Sequence, residues 1–437
     1  MKKKYVRWTL WTIASPFILF VILCILIYLP PIQNFLVDKA AVYASEATGM
    51  NISVGRISLS FPLNLVVTDV DAASPHNDTL LSVRRLQVNV QLLPLLKKQV
   101  EVDGISLQGA TVNSNDLIHG MKLNGTLGEL FISSHGVALD PETAIVNKVL
   151  LKDTDLSLCL NDTAAVDTAA SDTTYWKIIL QDIDLQNVSF ALDMPLDSLS
   201  LAASLDNAIL RDGLIDLHKS AYSLQTFRIK NGRVRYDSGK PLAADSLPSG
   251  LDPSHIALTD IGVKLDSLYY EGRNMKAIIS QFVLKERSGV EIVSATGRMV
   301  SNDKVLRVPS LKLETRDSYL ELNAAMDWNA LDFKGEGLVS ARLMADIGKP
   351  DVVRFMGRMD EKFVRQYPSE PLRIRTGIDG DLNKLKLTTL TAELPGALGL
   401  FARGELTHLT DSLLRGGDIT LEAETKDLKF VSTLWSR

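Results

Sequence analysis

Side chains able to bind a metal, attack a bond or move a proton occur in this chain, but none is spaced for the task. Six histidines, His76, His119, His135, His218, His255 and His408, are scattered singly, without the short spacings that bring ligands together around zinc. Cys159 sits alone in an alternating apolar stretch, with no histidine placed to activate it, and reads as an inert thiol. Cys24, the other cysteine, lies in a long apolar run, so one chain has no disulfide framework. Asp162, Asp167 and Asp172 supply carboxylates within NDTAAVDTAASDTT. Their spacing fits no EF-hand loop, and the small polar composition reads as a solvated loop. A P-loop, a GxSxG elbow and paired dinucleotide glycines are all missing. Cleavage of a glycan would need two acids facing across a cleft, and no pattern pairs any two here. The expectation is a non-enzyme with no catalytic residue, cofactor or metal.

What the sequence does pattern is apolar surface. Residues 8–29, WTLWTIASPFILFVILCILIYL, carry no charge, and about 22 helical residues rise roughly 33 Å, enough for the ~30 Å hydrocarbon core. Trp8, Trp11 and Tyr28 sit near the ends, where amphipathic rings prefer the interface, and Phe20 lies mid-span. Pro16 is tolerable inside a lipid-embedded helix. Lys2, Lys3, Lys4 and Arg7 in the basic tail 1–7 place that end in the cytoplasm and export the rest. The run exceeds a signal-peptide core and no Ala-x-Ala site follows, so it reads as a retained single-pass anchor. Net charge is −5 with four basic residues spent on the anchor, so the exported body is more acidic still, which excludes a nucleic-acid partner.

Residues 30–49 follow as an amphipathic helix. Ile32, Phe35, Leu36, Ala40, Tyr43 and Ala47 recur at three- and four-residue spacing, and Gly49 supplies a left-handed stop. From Met50 the period falls to two. Sets such as Ile52/Val54, Ile261/Val263/Leu265, Leu311/Leu313 and Leu320/Leu322/Ala324 repeat to the end of the chain, and the expected class is mostly β. Phrases such as VEVDGISLQGATV (100–112), IILQDIDLQNVSFAL (178–192) and YSLQTFRIKNGRVRYD (222–237) read as alternating strands meeting at Gly or Asn turns, that is, as hairpins. The expected sections are 50–160, a flexible acidic loop 161–174, then 175–347. An amphipathic helix over 348–368 carries Val352, Val353, Phe355, Met356, Met359, Phe363 and Val364 on one face and reads as a cover packed on the sheet. A third section, 369–437, ends in strands, so that the chain reads either as a truncated part or as a short relative of longer proteins.

Hundreds of residues of meander must bury one sheet face. One solution is a sheet of roughly 20–25 strands curled lengthwise into a trough, whose apolar lining would match an acyl chain. A 16-carbon chain needs about 13 kcal/mol of apolar cover at ~0.8 kcal/mol per methylene. Candidate lining residues are Ile178, Leu180, Val263, Leu265, Leu320 and Leu322; alternation shows two faces without saying which is concave.

TGMNISVGRISLSFPLNLVVTDV resembles the N-terminus of the AsmA/TamB family through Thr48, Gly49, Phe61, Pro62, Leu63, Leu65 and Val70. FVLKERSGVEIVSATGRM (282–299), LKLETRDSYLELN (311–323) and IDGDLNKLKLTTLTAEL resemble that family's looser strand-turn phrases. The resemblance is to the TamB-type proteins of Bacteroidetes-like Gram-negative bacteria, which are usually longer. It implies a periplasmic β-groove (a β-taco) of the bridge-like lipid-transfer kind, anchored in the inner membrane and serving outer-membrane biogenesis. It also implies phospholipids as cargo and an outer-membrane partner of the Omp85 class. The rival expectation is a protein-assembly factor whose free sheet edge accepts strands of outer-membrane clients.

Overall fold

The computed structural model describes residues 48–60, 64–74, 79–91, 102–114, 120–138, 142–161, 175–239, 250–332, 337–357 and 361–432, with 39, 41–42 and 45–46. The basic tail and the anchor residues Trp8, Trp11, Pro16, Phe20 and Tyr28 lie outside the described residues, as does most of the acidic loop. No helix among the described residues is long and apolar enough to cross a membrane. The described part of the 30–49 helix is helical at Lys39, Ala41, Val42, Ser45, Glu46 and Thr48. It stops where expected: Gly49 takes φ +71°, and its N–H donates to the Ser45 carbonyl at 2.9 Å.

The chain is mostly β and divides into two compact units within the acidic loop, at Ala164/Ala165. The first unit is a six-strand antiparallel meander: β1 Asn51–Ser60, β2 Asn64–Ala73, β3 Thr79–Val90, β4 Val102–Asn113, β5 Met121–Ala138 and β6 Thr143–Leu160. The second unit holds β7 Lys177–Met194, β8 Leu199–Asp216, the short β9 Ala221–Leu224, β10 Thr226–Ser238 and β11 His255–Glu271. It continues with β12 Asn274–Glu286, β13 Glu291–Ser301, β14 Val305–Thr315, β15 Tyr319–Asp327 and β16 Val339–Ile347. The last strands are β17 Leu372–Gly380, β18 Lys384–Leu394, β19 Leu398–Thr407 and β20 Gly416–Thr425. Each pairs antiparallel with the next, except that β8 reaches β10 along most of its length and β9 at its end.

The Gly/Asn phrases are not hairpins. Residues 102–113, 177–194 and 226–238 are each one continuous strand. The supposed turn residues are bends inside the ladder. In the first unit Asp69, Gly109 and Asp153 take φ +54°, +61° and +49°, opposite Gly55, Arg84 and Gly128. At such a bend both paired strands step together, so pairing resumes in register while the alternation slips by one residue. Val54↔Val70 is followed by Ile57↔Val67, three residues on in each strand, and the apolar side stays on one face. The covered positions of β1 show the slip directly: 52, 54, then 57, 59. Asp and Asn tolerate the left-handed region better than other side chains, so the same composition serves turns and bends. Opposite Asp153, a Cβ on Gly128 would come within 2.8 Å of the Asp153 Cβ, which is why that position has no side chain.

The 348–368 segment is two helices, α1 Lys349–Met356 and α2 Glu361–Gln366. Gly357, at φ +74°, ends α1, so the apolar stripe read across 352–364 does not run on. Phe355 and Met356 are consequently exposed, at 57% and 46%. Residues 429–432, expected as strand, form a third short helix, α3 Lys429–Ser432.

Candidate functional site

Cross-strand register shows which side chains share a face, because directly opposed residues in an antiparallel pair point the same way. In the second unit one row runs Leu185, Ala208, Ile229, Val263, Phe282, Ala295, Leu313, Leu320, Ala345, Ile374, Ala392, Leu400, Ala423. Thirteen strands contribute one residue each, and every one is apolar. Twelve steps at ~4.8 Å make a track about 58 Å long, measured along the sheet. A neighbouring row carries Phe227, Leu265, Ile279, Leu311, Leu322 and Leu343. Thus Val263 and Leu320 lie on one row, and Leu265 and Leu322 on the next.

Ile178 and Leu180 join this face across a bend. Asp212, at φ +51°, shifts the phase of β8 opposite Gln181. A Cβ built on Gly213, the partner of Leu180, would sit 2.9 Å from Leu210 Cδ2 and 3.4 Å from Leu180 Cβ. Leu180 therefore lies on the Leu210 side. The first unit has the same organisation, with rows such as Ile57, Val67, Leu86, Leu107, Leu130, Leu151.

These rows are not a closed core. In a sandwich a second sheet covers the large inward side chains. Here Ala208, Ala295 and Ala345 are buried by their neighbours, whereas Ile178, Leu180, Val263, Leu265, Leu320 and Leu322 all remain half-buried. Small residues vanish between neighbours in the sheet; large ones protrude without full cover.

The opposite face carries charged side chains, several of them paired. Arg211 bridges Asp182 and Asp184, and its guanidinium donates to the carbonyls of Ile183 and Leu210, each at 3.1 Å. Arg375 repeats the device with Asp346 at 2.9 Å and the carbonyls of Ala345 and Ile374. Lys285 pairs with Asp260 at 2.8 Å, and that hydrogen bond raises its pKa above the ordinary lysine value.

At the turn end of β17–β19 the apolar face does acquire a cover. Leu394 and Ala397 pack with Phe363 and Tyr367 from α2 and its end, and with Phe430 from α3; Leu372 and Leu398 join at the margin. The three rings stand 5.2–5.9 Å apart, and burial raises the pKa of the Tyr367 hydroxyl. α1 is pinned through Asp351, which is buried and accepts hydrogen bonds from Thr315, from Ser318 Oγ at 2.6 Å and from Arg354 at 3.0 Å. Arg354 also bridges Asp317 at 2.9 Å, and its carbonyl accepts from Leu251 N–H at 2.9 Å. Asp252, next along, is held below the ordinary carboxyl value of 3.8 by the Ser254 N–H and by His255.

Cys159 lies in β6 with its thiol 3.2 Å from Asn161 Oδ1, and His218 packs edge-on against Tyr175. No group of three metal-ligating side chains occurs among the described residues. No protein-family model matches the chain, and no curated protein matches it.

Proposed function

We propose that this chain is an inner-membrane-anchored periplasmic protein of the AsmA/TamB type. In this reading its β units curl into a groove that shields phospholipid acyl chains on their way toward the outer membrane. The observation that carries it is the uninterrupted apolar row from Leu185 to Ala423, whose large members stay half-buried. A row of that length offers more than one acyl chain continuous contact, and a chain moving along it keeps its ~0.8 kcal/mol per methylene at every step. No chemical step is needed, so the protein works as a passive track, with direction set by partners or by lipid imbalance. The α1–α3 cluster then stoppers the face at one end of β17–β19.

The test uses the full chain reconstituted in vesicles. Labelled phospholipid should pass to acceptor vesicles, and phospholipid should co-purify with the protein. Val263→Asp combined with Leu320→Asp should abolish transfer while leaving export and membrane insertion intact. Transfer that survives two charges on the central row would count against the groove.

One observation favours a second reading, as an assembly factor for outer-membrane β-barrels acting with an Omp85-class partner. All ten residues of β20 are exposed, and among the described residues β20 pairs only with β19. An unpaired edge accepts a client strand by β-augmentation. Crosslinks from Thr420 to nascent barrel strands, with none to lipid elsewhere, would support it.

A further inference from the structure

We infer that the polar face of the second unit carries a binding dish for a small phosphate-bearing, hydroxyl-rich ligand. A hollow of about 490 Å³ opens over β14–β18, between Arg307, Asn323, Ser340, Arg342, Asp379 and Thr388. Its shape follows from side-chain length. One polar-face row runs Arg307, Ala325, Ser340, Asp379, and the next runs Asn323, Arg342, Gly377. Ala325 and Ser340 in the first row and Gly377 at the end of the second are short, and longer side chains stand beside them, so the sheet itself forms the floor. The bends at Pro309 in β14 and Thr388 in β18 bound it on either side.

On the same face Arg211, Arg375 and Lys285 each pair with an acid. Arg307 and Arg342 have no ion pair among the described residues, and Asp379 is the one acid in the lining. Two guanidinium forks beside a dish are suited to a phosphate, which each can grip through two N–H donors. Asp379 accepts from hydroxyls, and the Asn323 amide both donates and accepts. Thr388 spends its own proton on the Gly377 carbonyl at 2.8 Å and so offers lone pairs. A phosphorylated polyol or sugar meets these requirements; a purely apolar ligand does not. The inference is independent of what occupies the apolar face.

Such a phosphate can belong to a free metabolite or to a lipid headgroup. The test titrates full-length protein in nanodiscs with glycerol 3-phosphate and, separately, with dihexanoyl phosphatidylglycerol kept monomeric, at constant ionic strength. Saturable binding should appear with one or both. It should weaken at least ~tenfold in Arg307→Gln/Arg342→Gln, equivalent to about 1.4 kcal/mol, and persist in Arg233→Gln, an exposed arginine outside the dish. Glycerol 3-phosphate responding alone assigns a soluble ligand, and the lipid responding alone with loss in the double variant assigns a headgroup. Binding of neither, or binding that survives the double variant in a protein whose melting is unchanged, overturns the inference.

Discussion

Asp351 carries the largest single-residue prediction. A carboxylate this buried is stable only because Thr315, Ser318 and Arg354 all address it. Asp351→Ala strands those donors and a guanidinium and should cost about 2–4 kcal/mol, measured by chemical denaturation; an unchanged midpoint would refute the pinning role. Asp252 sets a pH response. Its pKa is lowered by the Ser254 N–H and by His255, so its contribution is present above the unfolded carboxyl value and is lost as pH falls through the lower folded value. NMR titration should find Asp252 ionised below pH 3.8, with the His255 ring shifting in the same step. At this scale the sequence offered only scattered histidines and a lone cysteine outside the long apolar run. It was silent about Asp351, whose three partners lie up to 36 residues away.

At the level of elements, the bends are the feature with most leverage. Asp69 sits at φ +54° within β2. Asp69→Gly should be nearly neutral, whereas Asp69→Val, β-branched and averse to the left-handed region, should destabilise the first unit by about 1–2 kcal/mol; equal melting of the two variants would contradict the bend. Strand existence was readable from alternation, and Val263 shares a face with Leu265, as Leu320 does with Leu322, because period-two phase survives within a strand. Bends were misread as hairpins because Asn, Asp and Gly serve both. The distinguishing signal was available in 54→57 and 67→70, an i+3 apolar step occurring in two neighbouring strands at once. The break of the 348–368 helix was carried by Gly357, and α3 was hidden because KFVS fits a strand as well as a helix.

For each unit taken whole, one face carries continuous apolar rows that are incompletely covered, and in the second unit the other face carries charge pairs such as those of Arg211, Arg375 and Lys285. The sequence contained the first half of that statement. It could not contain the dish, whose floor brings together residues from three strands spanning 325 to 377, a juxtaposition visible only once register is known. Site-specific photocrosslinking in cells tests the central claim most directly, with a benzophenone side chain placed at Leu320, Val263 or Ile374 on the row and at Glu321 or Lys312 on the opposite face. The account predicts phospholipid adducts from the first three positions and none from the last two. Adducts on neither face, or equally on both, would contradict it.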